Sequence, residues 1–145
     1  MKVRTLVAAD IREWVELRAA LWPDQSLDEL EVEGRAALAK DPPLVVFVAE
    51  VDSVLAGFIE FGFRSVAEGC ETSPVPYVEG WFVRDDYRRR GIGAALMLAV
   101  ENWCRARGFV ELGSDANASN RLSRDVHAAL GFEEVETLVV FRRAL

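Results

Sequence analysis

Residues 88–94, Arg-Arg-Arg-Gly-Ile-Gly-Ala, place two glycines and three guanidinium groups directly ahead of a strongly helical stretch. Glycine lets the backbone turn tightly and approach a ligand closely. The first N–H groups of a helix have no internal acceptor, and the helix dipole favours negative charge in front of them. The backbone of Gly91, Ile92, Gly93 and Ala94, with the side chains of Arg88, Arg89 and Arg90, therefore suits an anion such as a diphosphate. Two alternatives fail on spacing: no Lys follows as a P-loop requires, and the third glycine of a dinucleotide fingerprint is replaced by Leu96. Without its flanks the pattern would equally describe a plain turn before a helix.

Glu79 sits in the middle of the β-rich run Val75–Arg84, where strict alternation puts Tyr77, Glu79, Trp81 and Val83 on one face and Val78, Gly80 and Phe82 on the other. A carboxylate among aromatic and apolar residues must find a partner or shift its pKa. It could hold a substrate ammonium and accept its proton, leaving a free amine to attack a carbonyl, or it could be an ion-paired strand residue. Asp115 opens the run Asp-Ala-Asn-Ala-Ser-Asn, where aspartate commonly serves a turn or a cap. His127 is the chain's one histidine. Its imidazole could donate a proton near neutral pH, or be packed in a helix.

Composition narrows the classes. With 145 residues, 51% of them hydrophobic, the chain suits one domain spanning residues 1–145 with a real core. Cys70 and Cys104 are far apart and in no C-x-x-C spacing, and a single histidine rules out a His/Cys metal cluster, so no metal site is expected. No apolar run reaches membrane-spanning length and the first residues lack a signal-peptide pattern, which points to a cytoplasmic protein with no membrane partner. The net charge is −7, with −8 carried by residues 1–80 and +1 by residues 81–145. An acidic chain without a basic stripe argues against nucleic acid and favours a small cationic partner.

These groups need elements to position them. Residues 2–7 read as a strand. Asp10 with Glu13, and Ser26 with Glu29, are capping-box signals for two helices, the first stopped by Pro23 and the second by Asp41-Pro42-Pro43. The runs from Leu44 and Leu55 read as an antiparallel hairpin about Asp52 and Ser53, followed by a loop over 67–74 and the Glu79 strand. Ile92, Ala95, Leu96, Ala99, Val100 and Trp103 give the clearest helical period in the chain, ended by Gly108. A fifth strand over 110–114, a helix from Asn120 to Leu130 and strand material over 132–143 complete the order. The fold class is α/β: a mixed, mostly antiparallel twisted sheet flanked by helices.

Strand, R-x-x-G-x-G/A, helix, strand, then an Asn-headed helix ending in Leu-Gly-Phe resembles the GNAT superfamily of N-acetyltransferases. Leu21-Trp22-Pro23, the Gly69–Val83 segment GCETSPVPYVEGWFV, Ser114-Asp115 and the Val126–Glu134 segment VHAALGFEE narrow the resemblance to aminoglycoside 6'-N-acetyltransferases. The resemblance covers nearly the whole chain and implies acetyl-coenzyme A as cosubstrate, its pyrophosphate on the glycine loop, with Asn120 a further contact that an N-cap role explains equally well. It implies that backbone groups of Phe82 and Val83 pair with the pantetheine arm. Glu79 is then the first candidate base and Asp115 the second, both at an aminosugar site that also takes in Trp22 and Glu136. His127 stands where most of the superfamily has a tyrosine that protonates the departing thiolate. A homodimer is implied by analogy, with Val139-Val140-Phe141 a strand offered to a partner. Two rivals remain at this point: another amine as acceptor, or a coenzyme A-binding module without turnover.

Overall fold

The computed structural model describes residues 1–145. Four strands, β1 (Lys2–Thr5), β2 (Val45–Val51), β3 (Val54–Arg64) and β4 (Val75–Val83), form an antiparallel sheet in the order β1-β2-β3-β4. On one face lie α1 (Ile11–Leu21) and α2 (Leu27–Leu38); on the other lies α3 (Ile92–Ala106), while α4 (Arg121–Ala129) follows near the C-terminus. The two faces carry separate cores. Phe47, Ile59, Phe61 and Val78 pack with Ile92, Leu96, Met97 and Val100 of α3. Val46, Val48, Leu55 and Phe58 pack with Trp14, Leu17 and Leu30 of α1 and α2. The alternation of β2 and β3 thus serves two apolar layers, which is why these strands read as nearly continuous hydrophobic runs.

Helix starts match their signals unevenly. Ser26 Oγ accepts from Glu29 N at 3.1 Å and Glu29 returns a carboxylate to Ser26 N at 3.0 Å, a complete capping box for α2. Asp10 and Glu13 form none. The Asp10 carboxylate is drawn to Arg4 (2.6 and 3.0 Å) and to Val7 N (2.9 Å), which holds its pKa below the usual range. Glu13 instead accepts from Leu55 N at 2.9 Å and so ties α1 to β3. An ion pair therefore outcompetes the local cap.

Two expected strands are largely missing. Residues 110–114 meet β4 through one parallel bridge, Tyr77 to Gly113, sealed by Val78 N to Gly113 O and Gly113 N to Pro76 O, each 2.9 Å. Residues 132–143 form no strand, and Val140 and Phe141 are 82% and 88% exposed. The physical reason is the same for both: a strand exists only against a partner, and within this chain neither segment has one along its length.

The one buried ion pair lies between sheet and helices. The Arg18 guanidinium meets the Glu60 carboxylate at 3.1 and 3.2 Å, donates to Leu30 O at 2.7 Å, and lies against the indoles of Trp14 and Trp22, 4.9 and 5.0 Å from their centroids. Trp14 Nε1 also donates to Glu60, at 3.2 Å. Burial pushes the Glu60 pKa up, and Arg18 and Trp14 oppose that push. Removing one charge leaves the other buried and unpaired, so Glu60→Leu should cost about 3–5 kcal/mol, whereas Arg18→Met with Glu60→Leu should recover most of that loss. Urea unfolding of the two variants checks this. Equal destabilisation by the single and double variants would contradict the pairing.

Candidate functional site

The site is built around β4, whose two edges behave differently. On one side β4 pairs with β3, with a register shift at Glu60/Phe61 that leaves Glu79 as an extra residue between the partners Gly80 and Val78. Such a bulge bends the strand and turns a side chain off the regular alternation. Tyr77, opposite Gly62, therefore shares the α1–α2 face with Arg64 and Glu60, whereas Trp81 and Val83 pack on the α3 side. This corrects the single face predicted for Tyr77, Glu79, Trp81 and Val83.

On the other side, no backbone–backbone hydrogen bond crosses from β4 to the chain that follows once Val78 has bonded Gly113. Arg84 N donates to Ala56 O at 2.8 Å, and Val83 lies opposite Gly57. The alternation of an antiparallel ladder then turns the N–H and C=O of Trp81 and Val83 away from β3, toward the open edge. Phe82 is turned the other way, so its backbone is committed to β3; Trp81 takes the place expected for it. The Val83 carbonyl receives Arg88 Nε at 3.0 Å, leaving its N–H free.

The glycine loop lies beyond. Arg89 and Gly91 hold positive φ, 58° and 77°, and a Cβ built on Gly91 would meet nothing within 4 Å. The first internal bond of α3 runs from Ala95 N to Gly91 O, 3.0 Å. The N–H groups from Arg89 through Ala94 accordingly have no protein acceptor and form a concave nest. Trp81 lies beneath, within ordinary contact of Gly93, and its Nε1 is a buried donor without a partner. These unpaired donors fit an anionic group followed by an amide-bearing arm along β4. Of the three arginines, Arg88 is tied back to Val83 O and to Asp85 (3.0 Å), Arg90 lies over Tyr87, and Arg89 is exposed.

The acidic groups gather where the end of β3 and the start of β4 meet residues 114–140. Arg64 Nε and Nη2 meet the two carboxylate oxygens of Glu79 at 3.0 and 2.9 Å, and its guanidinium sits 3.6 Å over the Tyr77 ring. The Tyr77 hydroxyl donates to Asp115 Oδ2 at 2.9 Å, and burial with that carboxylate pushes the phenol pKa up, so it stays protonated. Glu79 and Asp115 are thus joined through Arg64 and Tyr77, neither of which the sequence reading singled out. Asp115 and Glu136 line one cavity of about 760 Å³ with Arg64, Tyr77, Glu68, Glu133 and Glu134. Glu111 holds the 67–74 loop nearby through Glu71 N, at 2.9 Å, and through the backbone and hydroxyl of Thr72.

Trp22 seats against β4: its ring would be 2.8 Å from a Cβ on Gly80, with Glu60 Cγ at 3.1 Å. It covers the buried ion pair and is not among the residues that line the acidic cavity. His127 packs edge-on between Trp81 and Phe132, ring centroids at 5.5 and 5.1 Å. Its Nδ1 lies 2.7 Å from Ser123 O and its Nε2 2.8 Å from Ser114 Oγ. That network assigns the proton to Nδ1 and makes Nε2 an acceptor. Asn120 caps α4, accepting from Ser123 N at 3.1 Å. No group of three or more His, Cys, Asp or Glu side chains could hold a metal ion. No helix is long and apolar enough to cross a membrane.

An antiparallel sheet with helices on both faces, parted beside β4 at a helix-borne anion nest, defines a fold class that the comparisons with known proteins identify. Residues 9–132 match the model of the acetyltransferase (GNAT) family, and the chain belongs to that family. It is 36% identical over 146 residues to the aminoglycoside N(6')-acetyltransferase type 1 of Klebsiella aerogenes, covering 99% of this chain and 96% of that one. The protein of the same name from Stenotrophomonas maltophilia is 38% identical, with 99% and 93% covered. Among solved structures, AAC(6')-Iy in complex with the bisubstrate analogue CoA-S-monomethyl-acetylneamine superposes with a TM-score of 0.91 at 35% identity, covering 99% of this chain and 98% of that one.

Gly80 offers a direct check of how Trp22 seats. A methyl group there collides with Trp22, so Gly80→Ala should destabilise the protein by about 1–3 kcal/mol and expose the indole. Urea unfolding and acrylamide quenching of tryptophan fluorescence report both. Unchanged stability and quenching would show that Trp22 does not seat on β4.

Proposed function

We propose that residues 1–145 act as one acetyltransferase domain that moves the acetyl group of acetyl-coenzyme A to the 6'-amine of aminoglycoside antibiotics. The observation that carries this reading is the arrangement around β4: its edge is open past Val78 beside the anion nest of α3, and its Glu79 is linked through Arg64 and Tyr77 to Asp115 of an acidic cavity. The similarity over nearly the full chain to aminoglycoside N(6')-acetyltransferases and to a structure holding a coenzyme A–neamine conjugate supports both halves.

Acetyl-coenzyme A supplies the acetyl group as a thioester. The N–H groups from Arg89 to Ala94 hold its diphosphate, and those of Trp81 and Val83 receive the pantetheine arm and polarise the acetyl carbonyl. Glu79 and Asp115 bind the acceptor as an ammonium, with Glu136 and Trp22 at the sugar. Nearby carboxylates stabilise an ammonium, so they favour binding before deprotonation. Glu79 takes one proton from the ammonium, the amine nitrogen bonds to the acetyl carbon, and the carbon–sulfur bond breaks as the second nitrogen proton passes to the departing thiolate, leaving the amide and coenzyme A. No covalent enzyme intermediate is needed. Burial pushes the Cys104 thiol up to about 11 and also raises that of Cys70, so neither is an activated nucleophile. With its Nδ1 proton held by Ser123 O and its Nε2 accepting from Ser114, neutral His127 directs no proton at the leaving thiolate.

The same reading includes a homodimer in the cytoplasm with neither nucleic acid nor membrane as partner. A cleft of about 720 Å³ runs between residues 109–114 and 130–135, lined by Phe109, Leu112 and Phe132. No Gly, Pro, Asn, Asp or Ser interrupts residues 132–145, so the tail has no turn with which to fold back into that cleft. A second copy's tail has the apolar, β-branched character to fill it. Two free cysteines suit a reducing compartment.

Thiol release from acetyl-coenzyme A with kanamycin A, tobramycin and spermidine tests the activity. Turnover with the two aminoglycosides, little with spermidine, and a fall in kcat of about a hundredfold or more in Glu79→Gln are expected. Spermidine turnover without aminoglycoside turnover would move the enzyme to another acceptor. No turnover with any amine would leave a coenzyme A-binding module.

A further inference from the structure

Two arginine–carboxylate pairs tie β3 to its neighbours, Arg18–Glu60 and Arg64–Glu79, and they are fastened very differently. Arg18 has Glu60, Leu30 O and two indoles around it, with 7% of its side chain exposed. Arg64 has Glu79 as its one hydrogen-bonding partner, lies on Tyr77, and leaves 36% of its side chain in solvent. Water solvates either ion of a one-third-exposed pair once it is released, whereas a buried ion left unpaired is costly. Arg64 is therefore much the more readily displaced of the two by a competing cation.

Arg64 also stands where a substrate cation must go. It occupies both oxygens of the carboxylate proposed to receive the acceptor ammonium, and it itself lines the cavity formed with Glu68, Asp115, Glu133, Glu134 and Glu136. The cavity's other arginine, Arg124, is bound to Glu134 at 2.7 and 3.0 Å and leaves Glu79 alone. An acceptor with a single ammonium gains nothing by the exchange, since a bidentate guanidinium is the better partner for a carboxylate. An acceptor with several ammonium groups gains contacts at Asp115 and Glu136 as well.

We propose that Arg64 is an exchangeable counter-cation: it holds Glu79 while the acceptor site is empty, is displaced by the incoming ammonium, and thereby selects polycationic acceptors over monoamines. This rests on the acceptor reading given under Proposed function and adds the residue that sets the charge the acceptor must carry. Arg64 is a specificity-determining residue, not a proton carrier.

The test uses the full chain and its Arg64→Gln and Arg64→Lys variants, each first shown to unfold in urea like the parent. Glutamine keeps a hydrogen-bonding group beside Glu79 and removes the charge; lysine restores the charge. Tobramycin is the polycationic probe and 6-amino-6-deoxyglucose the monoamine. Arg64→Gln should lower the KM for tobramycin roughly threefold to fivefold, tighten its calorimetric Kd by a similar factor, and raise kcat/KM for the monoamine by more than for tobramycin. Arg64→Lys should return both toward the parent values. A lower kcat with unchanged or higher KM would make Arg64 a mere support for Glu79 and overturn the proposal, as would an unchanged Kd. Tobramycin turnover by the parent protein decides the acceptor reading separately, and tobramycin that binds neither parent nor variant would overturn both.

Discussion

The parting of β4 from the chain that follows it is the constraint on which the site depends. One bridge at Tyr77 and Gly113 holds the two together, and past Val78 the edge is released. Unpaired backbone donors in a folded protein carry a desolvation cost unless water or a ligand meets them. Here Trp81 and Val83 keep theirs along a groove that ends at the N–H nest of α3. The bulge at Glu79, on the β3 side, comes directly after that release and turns the Glu79 carboxylate off the regular alternation, toward Arg64. Neither half could be moved along β4 without losing register with the other.

Electrostatics divides the labour between two ion pairs of the same chemistry. Arg18 and Glu60 are buried and multiply bonded, and they hold Trp22 against Gly80. Arg64 and Glu79 are part-exposed, joined by two hydrogen bonds. Burial thus separates a scaffold pair from a more accessible one, and the acidic cavity takes most of its carboxylates, Asp115, Glu133, Glu134 and Glu136, from residues 81–145 and only Glu68 from the more acidic first part of the chain.

Much of this was legible in the sequence where a local rule decides the structure. The period of α3, the Ser26–Glu29 box, the Asn120 cap and the glycine loop each depend on residues within a turn or two of one another, and each formed. Asp10 failed as a cap because Arg4, a strand residue far from it in pairing, offered a stronger partner. The bulge at Glu79 has no sequence signature; it inverts the face of every residue after it, so plain alternation puts Trp81 and Val83 with Tyr77, whereas the resemblance alone points to Phe82 at the open edge. Arg64 and Tyr77 were legible only as strand residues, since their role comes from a cross-strand pairing. The segments over 110–114 and 132–143 have strand composition, but composition does not supply a partner strand.

The cosubstrate site depends on the Trp81 and Val83 amides being unpaired donors at the open edge of β4. Amide hydrogen exchange followed by NMR, with and without acetyl-coenzyme A, measures this. These two amides should exchange much faster than their β4 neighbours Gly80 and Phe82 in the free protein and slow markedly when the cosubstrate binds. Equal protection of all four amides in the free protein, or no slowing on binding, would contradict it.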